Sequence, residues 1–372
     1  MKLVTKKPTT VVGLDIEAGS VAAAEITING DARLGRTGIA PLAPGITREG
    51  EIADPEALGA VLKDLFSEQK LNKNVRVGVA NQRVVVRSLR MPSIEGRDEL
   101  ETAIRFQAQD HIPMPLEQAV LDWEVIAPRV GEGGKQMDVV VVAARRDMVT
   151  ALAQALDHAG LRPVGVDVSA FGMIRALAHE QPDPEPEPIP YEERVGTDGA
   201  PIEPIEPMLP ARLYCNLGDV TNLAVARGSA CLFTRVASFG VEGIAQRLAE
   251  RRGLTLEHAR QWLVHTGLER PVEAIEGDPD TVAAARDALA EGASKLADEL
   301  RLSLEFYGAQ EGALSVDEVI ACGPGTTIEG LTERLQRELG YAFKVGRPSA
   351  LAHLDDDSAA RLTLSYGLGL EE

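Results

Sequence analysis

The chain has 372 residues, with 38 Lys and Arg against 57 Asp and Glu, a formal charge of −19. That balance argues against a nucleic-acid binder, which needs a basic patch to neutralise phosphates, while 44% hydrophobic and 26% charged residues describe a chain able to bury a globular core. The longest unbroken apolar run, Val139–Ala144, is far short of a bilayer-spanning helix, and no apolar stretch follows Lys2, Lys6 and Lys7, so the expectation is a cytoplasmic protein without a secretory signal.

Length alone predicts two or three domains. In chain order, Val11–Ile16 and Val21–Ile26 read as strands around a tight glycine-containing turn. Pro55–Gln69 reads as a helix, with Asp54 as its cap and Pro55 at the first helical position. Strands follow at Arg76–Ala80 and Arg83–Met91, then a helix over Asp98–Asp110 that Pro113 and Pro115 bring to a stop. Val120–Ile126 and the β-branched Asp138–Ala144 are strands, Met148–Ala159 a helix ended by Gly160, Gly165–Val168 a strand and Ala170–His179 a helix. Residues 181–210 hold nine of the 22 prolines and eight acidic side chains against one arginine. Such a stretch has too little apolar mass to offset ordering entropy, and it reads as a disordered linker.

The second half opens as the first did. Arg212–Leu217 and Asn222–Arg227 are strands around a polar turn, with Ala230–Ala237 as a third. Helices are expected at Val241–Arg251, Leu256–His265 and Thr281–Tyr307; the last carries Leu289, Leu296, Leu300, Leu304 and Tyr307 as one apolar stripe. A strand at Val316–Ala321, the turn Gly323-Pro324-Gly325, a helix over Ile328–Leu339 and a strand at Phe343–Val345 complete the pattern. Asp355-Asp356-Asp357 reads as the solvated cap of a terminal helix. Cys215, Cys231 and Cys322 form no C-x-x-C pair and sit in apolar runs, which points to burial. No H-E-x-x-H or G-x-S-x-G motif is present, so metal hydrolysis and serine hydrolysis lack support.

The informative feature is the repeated hairpin. Gly13-Leu14-Asp15-Ile16-Glu17-Ala18-Gly19-Ser20 opens the first half and Asn216-Leu217-Gly218-Asp219-Val220-Thr221-Asn222 the second. A small-residue turn exposes N–H groups that converge on an anion, and an acidic residue at the strand end can hold a hydrated cation. Two such turns facing each other would clamp a polyphosphate between two domains. The third element, Ile320-Ala321-Cys322-Gly323-Pro324-Gly325-Thr326, is a strand running into a turn that a flat base can approach.

The order of these turns resembles the actin and Hsp70-like ATPase superfamily. Within it the chain is similar to the PilM family, actin-like components of the type IV pilus assembly platform and relatives of the cell-division protein FtsA. His111-Ile112-Pro113-Met114-Pro115-Leu116-Glu117-Gln118-Ala119-Val120-Leu121-Asp122-Trp123 resembles that family's Y-I-P-F-P-L-E-E-V-V-L-D-Y signature, supported by Arg87–Pro92, Ala159–Pro163, Val166–Val168, Glu299–Tyr307 and Tyr366–Leu370. The resemblance implies an α/β, ribonuclease H-like two-lobed fold with a small inserted α+β subdomain. The first lobe is expected at 10–83 and 168–180, the insertion at 84–167 and the second lobe at 211–372, with 350–370 packing back on the first lobe.

For nucleotide, the resemblance implies ATP with Mg2+. Asp15 would hold the hydrated metal, backbone at Ala18, Gly19 and Ser20 and at Gly218, Asp219 and Thr221 the phosphates, and Gly323, Gly325 and Thr326 the base, with Asn216 at the second turn's entry. Glu299, Arg301 and Ser303 would meet the adenosine. The chain departs from the family's pattern in four respects. Glu17 replaces a glycine, Ala22 a lysine and Asn216 an aspartate, while Arg260 and Leu263 stand where the family has an acid and a lysine. Added anion, lost cation and a neutral amide in place of a carboxylate all oppose hydrolysis. A working ATPase, nucleotide binding without turnover and an empty scaffold therefore remain as three readings. For partners, the resemblance implies a cytoplasmic adaptor that holds the N-terminal tail of a bitopic PilN-like protein at the inner face of the cytoplasmic membrane. The groove lies between the first lobe and the insertion, with Met91, Ile112, Met114 and Leu116 as candidate edges. Pilus motor or platform proteins and a second copy of the chain are further partners. The alternatives are an active actin-like ATPase or kinase and an FtsA-like membrane adaptor; against the latter, no basic amphipathic segment closes the sequence.

Overall fold

The computed structural model describes residues 9–131, 134–180, 211–310 and 312–371. The expected linker 181–210 lies outside the described residues. The first lobe begins with β1 (Thr9–Ile16), β2 (Ser20–Asn29) and β3 (Asp31–Pro41), followed by the small hairpin of β4 (Thr47–Arg48) and β5 (Glu51–Ile52), α1 (Pro55–Glu68) and β6 (Asn74–Val79). Asp54 caps α1 by accepting from Ala57 N at 3.0 Å, and Pro55 occupies its first turn, where no N–H is needed.

After an insertion, α3 (Arg146–His158), β10 (Arg162–Val168) and α4 (Ser169–Leu177) complete the order β3-β2-β1-β6-β10. The first three strands form an antiparallel meander, and β6 and β10 add in parallel. β3 has no counterpart among the expected strands. It is an edge strand rich in Gly and Arg, mostly exposed, and its position is fixed by pairing with β2 and by α1, whose Leu65 and Gln69 crowd Gly38.

The insertion consists of β7 (Val84–Pro92), α2 (Arg97–His111), β8 (Ala119–Gly131) and β9 (Gly134–Arg145) in the antiparallel order β7-β9-β8. Its own core joins Leu89, Met91, Ile104, Ile112, Val139 and Val141. The expected span 84–167 overruns this unit. Leu152, Ala155 and Leu156 of α3 share the first-lobe core with Leu58 and Leu62 of α1, and β10 pairs with β6, so the insertion ends at Arg145.

The second lobe repeats the design. β11 (Ala211–Leu217), β12 (Thr221–Arg227) and β13 (Ala230–Ala237) form the meander, and β14 (Val316–Cys322) and β15 (Ala342–Val345) add in parallel, giving β13-β12-β11-β14-β15. α5 (Val241–Arg252), α6 (Leu256–Thr266) and α7 (Pro279–Gly308) cover the outer face, with Leu289, Leu296, Leu300 and Tyr307 of α7 buried in the core. α8 (Leu331–Leu339) starts three residues later than expected, because Gly330, at φ 80°, takes the left-handed conformation that precedes its first turn.

Two helices cross between the lobes. α4 leaves the first lobe yet packs on Tyr214, Ala224 and Ile320 of the second sheet. α9 (Asp356–Gly369) leaves the second lobe, capped by Asp355, and packs on Ala22 and Ala24 of β2. Close approach dictates glycine here: a Cβ on Gly13 of β1 would lie 1.9 Å from the Ser365 carbonyl oxygen, and one on Gly367 would lie 1.8 Å from that of Gly172. Among the described residues no helix is long and apolar enough to cross a membrane.

Candidate functional site: a self-occupied cleft

The β1–β2 and β11–β12 turns meet across the cleft between the lobes. Strand pairing places Asp15 opposite Ala22, so the first turn spans only Glu17, Ala18 and Gly19, and Glu17 N closes it by donating to Ser20 O at 2.9 Å. The Ala18 amide points at the other lobe and donates to Asp219 Oδ2 at 2.9 Å. In return Asn216 Nδ2 donates to Glu17 Oε1 at 3.2 Å. The Glu17 carboxylate lies against the second turn, where a Cβ on Gly218 would be 2.2 Å from its Oε1.

Three carboxyl groups thus converge where little water reaches. Burial, reinforced by the charge of Asp219, pushes Asp15 up to about 7. Burial and the charges of Asp219 and Asp15 push Glu17 well above the usual carboxylate range, against the Asn216 hydrogen bond and the positive charge of Arg361. Burial raises Asp219 to about 6, opposed by the amides of Val220 and Ala18. Removing a carboxylate from water disfavours its charged form, and a like charge nearby adds to that.

Gly19, Ser20, Gly218 and Asp219 face the remaining space. The other expected residues serve the walls. Thr221 is fully buried and donates from Oγ1 to Phe239 O at 2.7 Å, which pins the second hairpin. Asn216 is buried behind Glu17, with its Oδ1 where a Cβ on Gly323 would fall. Gly323 and Gly325 lie behind the cleft surface, Gly325 packing on Leu217 and Val241, and Thr326 Oγ1 turns back to Gly323 O. Pro324, Thr327 and Ile328 are the members of this turn that face the cleft. Glu299, Arg301 and Ser303 are engaged elsewhere: Glu299 pairs with Arg235, Arg301 with Asp298, and Ser303 Oγ donates to the Glu299 carbonyl of its own helix. None of the three is among the described residues lining the cleft.

Sequence reasoning overlooked Glu242 and Arg361. Arg260 makes a bidentate pair with Glu242 (Nε–Oε2 2.7 Å, Nη2–Oε1 2.6 Å), and its guanidinium lies over Gly19, 2.6 Å from where a Cβ would stand. A cation at Arg260, where the family has an acid, is itself a signal that an opposite charge waits nearby; Glu242 in the first turn of α5 is that partner. Arg361 of α9 reaches Ser20 Oγ at 3.2 Å and Asp357 at 2.9 Å. The pocket lined by Glu17, Gly19, Asp219 and Arg260 holds about 60 Å³, room for a few waters and far below the roughly 300–1,000 Å³ of a small-molecule site. A second gap between the lobes, of about 420 Å³, lies between Glu49, Asn81 and Arg83 of the first lobe and Val220 and Ser238 of the second. As arranged, the Ala18 amide, the Asn216 side-chain amide and Arg260, three of the groups that would meet a nucleotide polyphosphate, are already paired, so they do not fit one as they stand.

Of the candidate groove residues, Met91 and Ile112 are only 3% and 5% exposed and belong to the core of the insertion, so they form no groove edge. Met114 and Leu116 pack half-buried against that core. Next to Leu116, an open groove of about 540 Å³ runs between the insertion, at Glu117, Gln118 and Arg145, and the first lobe, at Thr150, Ala151 and Gln154 of α3. Arg146 braces one side by donating to Ala119 O at 2.8 Å.

Two lobes of identical strand order, two facing hairpin turns and two crossing helices define an actin-like protein of the ATPase-fold class. The sequence matches the family described as type IV pilus assembly protein PilM over residues 13–185 and 217–366, and the chain belongs to that family. A solved structure of the PilM–PilN type IV pilus biogenesis complex is 26% identical, with a TM-score of 0.76 and 97% of each chain covered. The ethanolamine utilization protein EutJ from Carboxydothermus hydrogenoformans, at 12% identity and a TM-score of 0.52 over 98% of this chain and 91% of that one, shares the fold alone.

Proposed function

We propose that the chain is a cytoplasmic adaptor of a type IV pilus, or related secretion, assembly platform. It holds the N-terminal cytoplasmic tail of a PilN-like bitopic protein and thereby sits on the inner face of the cytoplasmic membrane. The observation that carries this reading is the family match across both lobes, joined to 97% coverage of a chain whose structure is that of a PilM–PilN complex. The groove between the insertion and α3 suits an extended tail. Its floor at Ala151 is small, Gln118 and Gln154 offer donors and acceptors for a peptide backbone, and Arg145, Arg146, Glu117 and Asp147 present both charges along its length. Met114 and Leu116, half-buried at a bend and at the start of a short 3-10 turn, lead into Glu117 and Gln118 of the groove. The cleft has no part in catalysis on this reading: Asn216 supplies an amide where a base would be required.

The test is calorimetric titration of the full chain with a synthetic peptide of the partner's cytoplasmic tail, alongside co-purification with the intact partner. Saturable binding and loss of co-purification on deleting the tail are expected; co-purification that survives the deletion refutes the groove mode.

A further inference from the structure

We infer that the two lobes are joined without nucleotide, because Asp219 and Glu17 place the protein's own carboxylates on two donors facing the cleft, the Ala18 amide and the Asn216 side chain, that a polyphosphate would meet. The inference concerns the cleft and stands apart from the peptide groove.

Four observations converge. A small-residue turn is an anion site because its backbone N–H is free to donate; here the Ala18 N–H donates to Asp219 Oδ2, an anion supplied by the opposite lobe. The second turn's amide, Asn216 Nδ2, is taken by Glu17 from the first lobe, so each turn satisfies a donor of the other. The cation over the first turn, Arg260, spends its fork on Glu242 in a two-point pair, the geometry in which a guanidinium holds a carboxylate most firmly. The Glu17 carboxylate contacts Gly218 so closely that no phosphate oxygen could enter between them without displacing it. An incoming polyphosphate would also make Glu17 and Asp219, whose charged forms burial already disfavours, still harder to ionise, while Ala22 leaves no lysine to offset its charge. The outcome is a pair of reciprocal carboxylate–amide bonds that do structurally what a bridging ligand does elsewhere: they tie one turn to the other. α4 and α9 cross just behind, so the joint is braced on its inner side.

The experiment is residue-resolved amide hydrogen exchange on the full chain, without and with millimolar Mg–ATP, paired with calorimetric titration of Mg–ATP. Without nucleotide, Ala18 exchanges at least about tenfold more slowly than an open amide, Mg–ATP leaves that rate unchanged, and the titration gives no saturable heat. Asp219→Ala raises exchange at Ala18 about tenfold; Asp219→Asn, which retains an acceptor oxygen, keeps the protection and serves if the alanine variant does not fold. Saturable Mg–ATP binding by the wild type, slower Ala18 exchange in its presence, or a free Ala18 amide in the nucleotide-free chain would each overturn the inference. Tail-peptide binding measured on the same samples separates the two readings, since its loss would count against the groove and leave the cleft result standing.

Discussion

The cleft and the groove are both junctions between units of one chain. At the facing turns Ala18 is met by Asp219 and Asn216 by Glu17 across the gap, Arg260 is held by Glu242 of its own lobe, and the pocket between them holds about 60 Å³. In the groove Gln118, Thr150, Ala151 and Gln154 border about 540 Å³ of open space. Both junctions carry charge, so charge does not separate them; the difference is whether the groups facing the gap find partners across it. A junction whose donors and acceptors are matched internally holds the fold together, and one with open space is where a partner is received.

Changes on the two sides should therefore separate. Ala151→Trp fills the groove with a side chain far larger than the methyl it replaces, and peptide affinity should fall about a hundredfold, or about 2.7 kcal/mol, in calorimetry. The melting temperature should stay put, because Ala151 faces the groove rather than the α1–α3 core. Arg260→Ala should do the reverse. It strands Glu242 against the cleft and should cost about 1–3 kcal/mol in denaturant unfolding, while peptide affinity is retained. Glu17→Gln keeps an acceptor for Asn216 and removes a carboxyl whose charged form burial disfavours, so it should stabilise the chain by on the order of 1 kcal/mol where that carboxyl is charged. The gain should shrink as pH falls and Glu17 takes up its proton.

A further expected effect is in the wild type's own pH dependence. Asp15 and Asp219 have folded-state values raised to about 7 and about 6, above their unfolded value of 3.8. In the window between those values the folded chain binds more protons than the unfolded one, so unfolding free energy falls as pH rises. The penalty is complete above about pH 7 and absent below about pH 4. Denaturant midpoints should accordingly be higher at pH 6 than at pH 8, with the peptide groove unaffected. A flat profile would mean that the three carboxyls are better hydrated than the cleft allows.

Much of this could be read from the residues in order. Local signals placed the two hairpins, the Asp54 and Asp355 caps and the α7 stripe, because each is written within a few positions of chain. The opposition of the two turns followed from repetition of the same strand–turn–strand pattern. What escaped was decided at a distance. β3 is specified by its neighbour β2 rather than by β-branched residues of its own. Met91 and Ile112 are apolar beside prolines, a pattern shared by groove edges and by a small core, and only the packing of α2 on its sheet assigns them to the latter. Gly323 and Gly325 are small because Asn216 and Leu217 press against them, not to admit a flat ligand. Arg361 lies on the last helix, and no local pattern links it to Ser20 of the first turn.

The exchange of α4 and α9 between the lobes bears on how the molecule is made. The ribosome delivers β1 and β2 long before α9, the helix that shelters Gly13, Ala22 and Ala24. Until then the nascent first sheet presents an apolar face with nothing to lie against it, a surface that chaperones bind and proteases find. Translation halted short of Asp356 would therefore leave the first sheet uncovered as well as remove α9.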